Sequence, residues 1–374
     1  MNNINLNILI LGKTGAGKSS LINYLVSQNL MKTGEGKPVT GQDFETITYN
    51  SDSFNLTFVD SWGLEANKSP KWKELVFNKL EDGIDIKIDS ENIFSKKVFS
   101  IIYCINYKSS RIEDFELNFL EELLQTRKYK ILILFTQADN ICSEKKSSFT
   151  NVITSRLKTY SDFFSIKEAC AKKIQLLGQT TAIEAFGKDE IINTLGNNLW
   201  PNLINYAIND WYSNCQDLIQ KFNKTTEKYI KNLNPYNQRV LHILTPKLVR
   251  GNNCLKKMQY HIKKLQEDVK SQLNKNINSA IDYYEKLFEK TRDLPNDLYE
   301  TYISVRGKYE TEDFLASLVV DFIPILGFLF LLSKGSIVKD NLREKKNDCI
   351  KRLNEIIDKK RDELEKLLLD DKSY

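Results

Sequence analysis

The sequence predicts two architectures in one chain: an α/β domain over residues 1–200, built on a mostly parallel sheet flanked by helices, then an all-α elongated helical bundle over residues 201–374. Three observations predict this. Short apolar runs alternate with helically spaced apolar residues through the first half, as a parallel sheet covered by helices requires. A glycine-rich turn joins the first apolar run to the first helical stretch. Beyond about Trp200 the strand patterns stop, and amphipathic repeats longer than ordinary globular helices take over.

Taken in order, the expected strands are residues 4–11, 46–49, 54–59, 98–105, 130–135 and 173–177, with a helix over 112–124 between the fourth and fifth. Residues 90–97, after the Asp82-Gly83 turn, read as a local insertion. In the second half, residues 202–233 read as a helix ended by Asn234-Pro235-Tyr236-Asn237. Leu255, Met258, Ile262, Leu265, Val269, Leu273, Ile277, Ile281, Tyr284 and Phe288 then recur every three or four residues, giving one long amphipathic helix that stops at Leu294-Pro295. A final helix carries Leu342, Cys349, Leu353, Ile356, Leu364 and Leu367 on one stripe. Between these two helices, residues 314–332 form the most apolar stretch and just reach the length of a membrane span. Asp321 at its centre is costly in lipid and Pro324 favours a bend, so a helical hairpin is expected, as bundle core, membrane-dipping tip or spanning segment.

Composition narrows the function classes. A chain of 374 residues exceeds one ordinary core, and 41% hydrophobic with 28% charged residues describes a folded protein rather than a disordered one. The net charge of +5 is concentrated between Arg239 and Lys275, a run that either meets phosphates or is the solvated face of a helix. It lacks interleaved aromatics and a recognisable RNA-binding module, which speaks against nucleic acid. The six cysteines are scattered singly, as reduced thiols in a cytoplasmic protein would be. Two histidines, His242 and His261, are too few and too remote for imidazole metal sites or Ser-His catalysis. The first apolar run is already the strand before the glycine-rich turn, so no signal peptide is expected.

That turn carries the chemistry. Gly12-Lys13-Thr14-Gly15-Ala16-Gly17-Lys18-Ser19 fits G-x-x-x-x-G-K-[ST] between a buried strand and a helix opened by Ser20. Its backbone N–H groups would cradle a polyphosphate, Lys18 would reach the β- and γ-phosphates, and the Ser19 hydroxyl would ligate Mg²⁺. At the end of the third strand, Asp60-Ser61-Trp62-Gly63 supplies D-x-x-G. There Asp60 would hold Mg²⁺ through water, and the Gly63 N–H would touch the γ-phosphate. Upstream, Thr40 is the candidate to join Mg²⁺ and γ-phosphate, with Thr33, Thr46 and Thr48 as competitors. After the fifth strand, Thr136-Gln137-Ala138-Asp139 occupies the place of a guanine-reading box, in which Asp139 accepts from guanine N1 and N2. Thr181 and Ala182, after the sixth strand, would present an N–H to guanine O6.

On these motifs, residues 1 to about 200 resemble a P-loop GTPase of the Era/TrmE/septin-like class, with a C-terminal helical domain of dynamin-like layout. Arg111-Ile112-Glu113-Asp114-Phe115-Glu116 also resembles a segment of septin, plant Toc and immune-associated GTPases, and has no chemical role assigned. The resemblance implies GTP/GDP and Mg²⁺ as ligands. Leu64 follows the D-x-x-G in place of the glutamine that positions water in Ras-like enzymes, so slow hydrolysis is expected, with the site completed by a homodimer through this domain or by a partner. Lys18, Thr40 and Gly63 are the expected catalytic set. The expected function is a nucleotide-controlled switch whose helical half passes its state to a partner or membrane. The alternatives are a dynamin-like membrane protein and an RNA- or ribosome-associated GTPase.

Overall fold

The computed structural model describes residues 4–31, 44–50, 54–61, 63–65, 69–84, 93–109, 111–139, 143–175, 182–231, 250–290 and 339–369. Thr33, Thr40, Trp62, Thr181 and the apolar stretch 314–332 lie outside them, as do both expected helix-ending segments around Pro235 and Pro295. The chain divides into two units. The first comprises Met1–Leu203 and Ala280–Tyr302, and the second Ile204–Ser279 and Ile303–Tyr374. The expected division at residue 200 therefore leaves out a return of the chain to the first unit after residue 279.

The first unit is built on six strands: β1 (Ile4–Gly12), β2 (Glu45–Asn50), β3 (Phe54–Asp60), β4 (Val98–Asn106), β5 (Ile131–Thr136) and β6 (Phe164–Glu168). Their order is β2-β3-β1-β4-β5-β6, with only the β2–β3 pair antiparallel. Helices α1 (Lys18–Val26), α2 (Ser69–Asp82), α3 (Asp114–Arg127) and α4 (Ser143–Arg156) connect them. Both sheet faces are buried, which is why β4 and β5 read as continuous apolar runs. Leu9, Leu11, Ile101, Tyr103, Ile105, Ile133 and Phe135 pack on one face with Trp72 and Phe119 of the helices. Ile8, Ile10, Ile102, Cys104, Leu132 and Leu134 pack on the other with Leu21 and Ile22. From β1 the chain passes to β3 on one side and β4 on the other, so the crevice beyond its C-terminal end is the topological switch point where such sheets bind ligands.

The expected sixth strand is corrected. The sheet edge is β6, whereas Ile174–Gln175 (β7) pairs with Ala182–Ile183 (β8) in a separate two-stranded ribbon. As an edge strand β6 is only partly buried throughout, and its alternation is confined to Phe164 and Ile166, too short a pattern to mark a strand in sequence.

Helix α5 (Lys188–Lys231) also starts earlier than expected and runs through Pro201. Beside that proline, buried Asn202 satisfies the first unit's backbone at three points. Its Oδ1 accepts from Lys130 N–H at 2.6 Å, and its Nδ2 donates to the Phe99 and Lys130 carbonyls, both at 2.8 Å.

In the second unit, the rest of α5 packs with α6 (Arg250–Lys290) and α7 (Lys339–Leu369). Trp211 Nε1 donates to the Val269 carbonyl at 3.2 Å, and Tyr212 OH donates to Asp358 at 2.8 Å. Glu227 receives Arg343 at 3.0 Å and Lys346 at 2.9 Å. Along α6, Ile262, Leu265, Val269, Leu273 and Ile277 are buried as expected. Beyond the division at Ser279, Tyr284 is buried as expected together with Ala280, Tyr283 and Leu287, while the expected Ile281 is only partly buried. Tyr283 there donates to the Asn5 carbonyl at 2.8 Å. On α7 the buried stripe is Cys349, Leu353, Ile357 and Leu364, so Ile357 replaces the expected Ile356.

Replacing Asn202 by alanine strands one buried and two partly buried backbone groups, and a cost of about 2 kcal/mol is expected in urea unfolding.

Candidate nucleotide-binding site

The site grows from the parallel pairing of β1 with β3, which sets Ile10 opposite Asp60. Pairing does not stop at the strand ends. Ser61 N–H donates to the Ile10 carbonyl at 3.2 Å, Leu64 N–H donates to the Gly12 carbonyl at 3.1 Å, and Lys13 and Leu64 form a further parallel bridge. The D-x-x-G segment is thus laced to the glycine-rich loop. Two glycines make the approach possible. A Cβ on Gly12 (φ +138°) would meet the Cys104 carbonyl oxygen at 2.3 Å, and one on Gly63 would meet the Thr14 backbone nitrogen at 2.2 Å.

The loop ends at Gly17, the N-cap of α1, so the helix N-terminus and its free N–H groups face the loop's concavity. Thr14 and Gly15 are exposed, while Ser19 and Ser20 lie half-buried in the first turn. Lys18 is buried and folds back on the loop, its Nζ 3.2 Å from the Gly12 and Lys13 carbonyls. Burial pulls its ammonium below the usual lysine range, against the opposing pull of Asp60. The Ser19 hydroxyl donates to Asp60 Oδ2 at 2.9 Å. Asp60 Oδ1 is buried with no hydrogen-bond partner among the described residues.

An unused carboxylate oxygen beside a serine hydroxyl is a hard-oxygen set that suits Mg²⁺, which takes one or two protein oxygens and leaves its other positions to water and phosphate. Among the described residues no cluster of three or more His, Cys, Asp or Glu side chains offers an all-protein cage. Ser19 and Asp60 therefore fit the expected metal role.

On the base side, Thr136 serves the phosphate loop, its hydroxyl donating to the Ala16 carbonyl at 2.7 Å. Gln137 adopts a left-handed backbone, φ +52°, and reaches the Gly15 carbonyl at 3.5 Å. Asp139 is buried beside Cys170, whose Sγ lies 3.7 Å from Oδ1, and beside Lys108, whose Nζ lies 2.8 Å from Oδ2. Ala138 N–H donates to the Ala169 carbonyl at 3.2 Å. The residues that follow the last sheet strand at the base side are therefore Ala169 and Cys170. Ala182 instead sits in the ribbon opposite Gln175, which corrects its expected place after the sixth strand.

Two further features were not read from the sequence. Thr48 shares a hydrogen bond of 3.1 Å with Thr57 inside the sheet, which occupies that competitor for the switch role. The Arg111–Glu116 segment also acquires a structural role. Glu113 and Glu116 form the capping box of α3, and both lie 3.9 Å from Lys13 of the loop, whose ammonium sits over the Phe115 ring.

Burial pushes the Asp60 carboxyl up to about 6 from its ordinary 3.8, with Lys18 and the Ser19 hydroxyl pulling the other way. The folded chain then holds this proton more tightly than the unfolded one, so its stabilising effect is full below about pH 4 and lost as pH rises through about 6. Thermal melts of nucleotide-free protein between pH 4 and 7 should show a decline, of order 1–3 kcal/mol, that Asp60→Asn flattens.

The family model described as 50S ribosome-binding GTPase matches residues 7–137. The probable GTP-binding protein EngB of Campylobacter jejuni is 32% identical over 151 residues, covering 38% of this chain and 72% of that protein. The septin homolog spn5 of Schizosaccharomyces pombe is 22% identical over 205 residues, covering 50% of this chain and 43% of that protein. Among solved structures, Toc33 from Arabidopsis thaliana in complex with GDP and Mg²⁺ is similar over 46% of this chain and 72% of its own, at 18% identity and a TM-score of 0.34. The sequence likeness to EngB, taken with the loop and strand ends just described, makes this chain a member of the P-loop GTPases, GTP-binding proteins built on a G domain.

Proposed function

We propose that this GTP-binding protein is a cytoplasmic switch with slow Mg²⁺-dependent GTP hydrolysis, whose helical unit passes the nucleotide state to a partner or a membrane surface. One observation carries the reading: Lys18 and Ser19 after β1, Asp60 at the end of β3 and Asp139 after β5 all lie at the C-terminal edge of the sheet, while Leu64 is hydrogen-bonded to Gly12 of the phosphate loop and Gly63 lies close against Thr14. Lys18 would meet the β- and γ-phosphates, and the Gly63 N–H would touch the γ-phosphate. Ser19 and Asp60 would hold Mg²⁺, and the chemistry such an ion supplies when bound is neutralisation of phosphate charge. On the base side, Asp139 is the acceptor for guanine N1–H and N2–H, with the backbone around Ala169 and Cys170 taking the place first expected of Thr181 and Ala182.

Hydrolysis is where the chain is poorly equipped. Leu64 is buried in the core, 1% exposed, and an apolar side chain cannot orient water. Leu64→Gln would bury an unsatisfied amide there. A loss of about 1–3 kcal/mol in stability is expected, without faster turnover. Wild-type single-turnover hydrolysis should be on the order of 10⁻⁴–10⁻³ s⁻¹ when dilute. If a second copy completes the site, that rate should climb with protein concentration, and a flat profile would point to a different partner.

The description of the matched family names the large ribosomal subunit. On this chain Lys257, Lys263 and Lys264 are exposed on α6, with Lys263 beside Glu267, the ordinary solvated face of an amphipathic helix. The dynamin-like alternative rests on the long helices, the basic run and the apolar stretch 314–332, the last of which lies outside the described residues. No helix among the described residues is long and apolar enough to cross a membrane.

The guanine assignment is tested by competition between GDP and ADP. Wild type should prefer GDP by several orders of magnitude, and Asp139→Asn should erase most of that margin. Equal affinity of wild type for both bases would overturn the reading.

A further inference from the structure

The carboxylate assigned to the base already has a cationic partner. Asp139 is 2% exposed in its side chain, and Lys108 Nζ lies 2.8 Å from it while the lysine side chain remains 50% exposed. The turn that carries Lys108 is held on three sides. Tyr107 N–H donates to the Thr136 carbonyl at 3.0 Å, and its buried ring stacks on Phe135 with centroids 4.1 Å apart. Lys108 N–H donates to Asn106 Oδ1 at 2.7 Å, and Asn106 Nδ2 donates to the Gly15 carbonyl at 3.2 Å. One short turn at the end of β4 therefore touches the phosphate loop at one end and the base-reading acid at the other.

We propose that Lys108 is a built-in competitor for the guanine edge, which weakens GDP binding and speeds GDP release by reclaiming Asp139 as the base departs. The proposal rests on the guanine reading of Asp139 given above. Its physical basis is the demand of a buried carboxylate for donors. Lys108 meets that demand with one ammonium on a flexible stem that already reaches water, so letting go costs the lysine little desolvation or packing. Guanine N1–H and N2–H replace it with two directed donors, and the free energy of the displaced ion pair is subtracted from guanine affinity. Adenine offers an acceptor at N1, cannot take part in the exchange, and gains nothing from the lysine's removal. Because the competing pair is half exposed, salt weakens it.

The test uses full-length wild type, Lys108→Met, which keeps the stem and removes the charge, and Lys108→Arg, which keeps the charge. GDP and ADP affinities, GDP release rates and melting temperatures with and without GDP are measured at low and high salt. The Met variant is expected to bind GDP roughly 3- to 10-fold tighter and release it more slowly at low salt, with the advantage shrinking at high salt. Its ADP affinity should stay at the wild-type level, its nucleotide-free melting temperature should fall, and its GDP-induced stabilisation should grow. The Arg variant should behave as wild type. In an Asp139→Asn background the Met substitution should have no effect on GDP, since the competed group is gone.

Unchanged or weaker GDP binding in Lys108→Met overturns the proposal, the latter because the ammonium would then contact the nucleotide. An equal gain for GDP and ADP overturns it as well. If Asp139→Asn keeps the full preference for guanine, the fault lies in the base reading, whereas loss of that preference with an inert Lys108 sinks the competition alone.

Discussion

The parallel register between β1 and β3 is the constraint on which the rest of this site depends. It sets Asp60 opposite Ile10 and continues past both strand ends, so that Ser61 and Leu64 donate back to Ile10 and Gly12. Because side chains alternate along a strand, a slip of one residue would turn Asp60 away from Ser19 and bring Leu64 out of the core. Register, the Ser19–Asp60 pair and the seating of Gly63 on Thr14 all follow from this backbone hydrogen bonding. The apolar faces above and below the sheet are both buried, and within the β1–β3 pair the Thr57 hydroxyl donates to Asn5 Oδ1 at 2.9 Å.

Neighbouring strands then fix the loop from three directions. β4 presses the Cys104 carbonyl against Gly12, its terminal Asn106 binds Gly15, and β5 binds Ala16 through Thr136. The N-terminus of α3 adds the Glu113–Glu116 pair near Lys13. A loop held this way is preorganised for phosphate, with little ordering left for binding to accomplish. Lys18 and Asp60 illustrate what it costs the protein: burial disfavours the charged form of each, one pulled down and the other pushed up. Anionic phosphate and a divalent cation are the species that relieve both.

The loop and its companions were legible because they are contiguous in sequence and demand particular residue types. Gly12 to Ser19 and Asp60 to Gly63 each carry their own geometry, and their order along the chain matches successive strand ends. Buried central strands were legible for the same reason, since β4 and β5 are apolar on both faces. The sheet edge was not, because β6 is only partly buried and its alternation stops at Phe164 and Ile166, while the apolar run around Ile174 went to a side ribbon. That exchange moved the last base-side contact from Ala182 to Ala169 and Cys170.

The sequence by itself determined the residue types at hand: a glycine-rich loop of the P-loop GTPases, the serine and aspartate proposed for a hard cation, the acid proposed for the base, and a leucine after the D-x-x-G. Only the tertiary structure decided what those groups meet. The Lys108–Asp139 pair arises from lateral pairing of β4 with β5, and the Lys13 contacts arise from where α3 begins. The same holds for the burial of Leu64, and for the burial of Ala280 in place of Ile281 on α6. Local patterns report a residue's preference for helix, strand or turn, whereas partners separated by dozens of residues are chosen by the packing of whole elements.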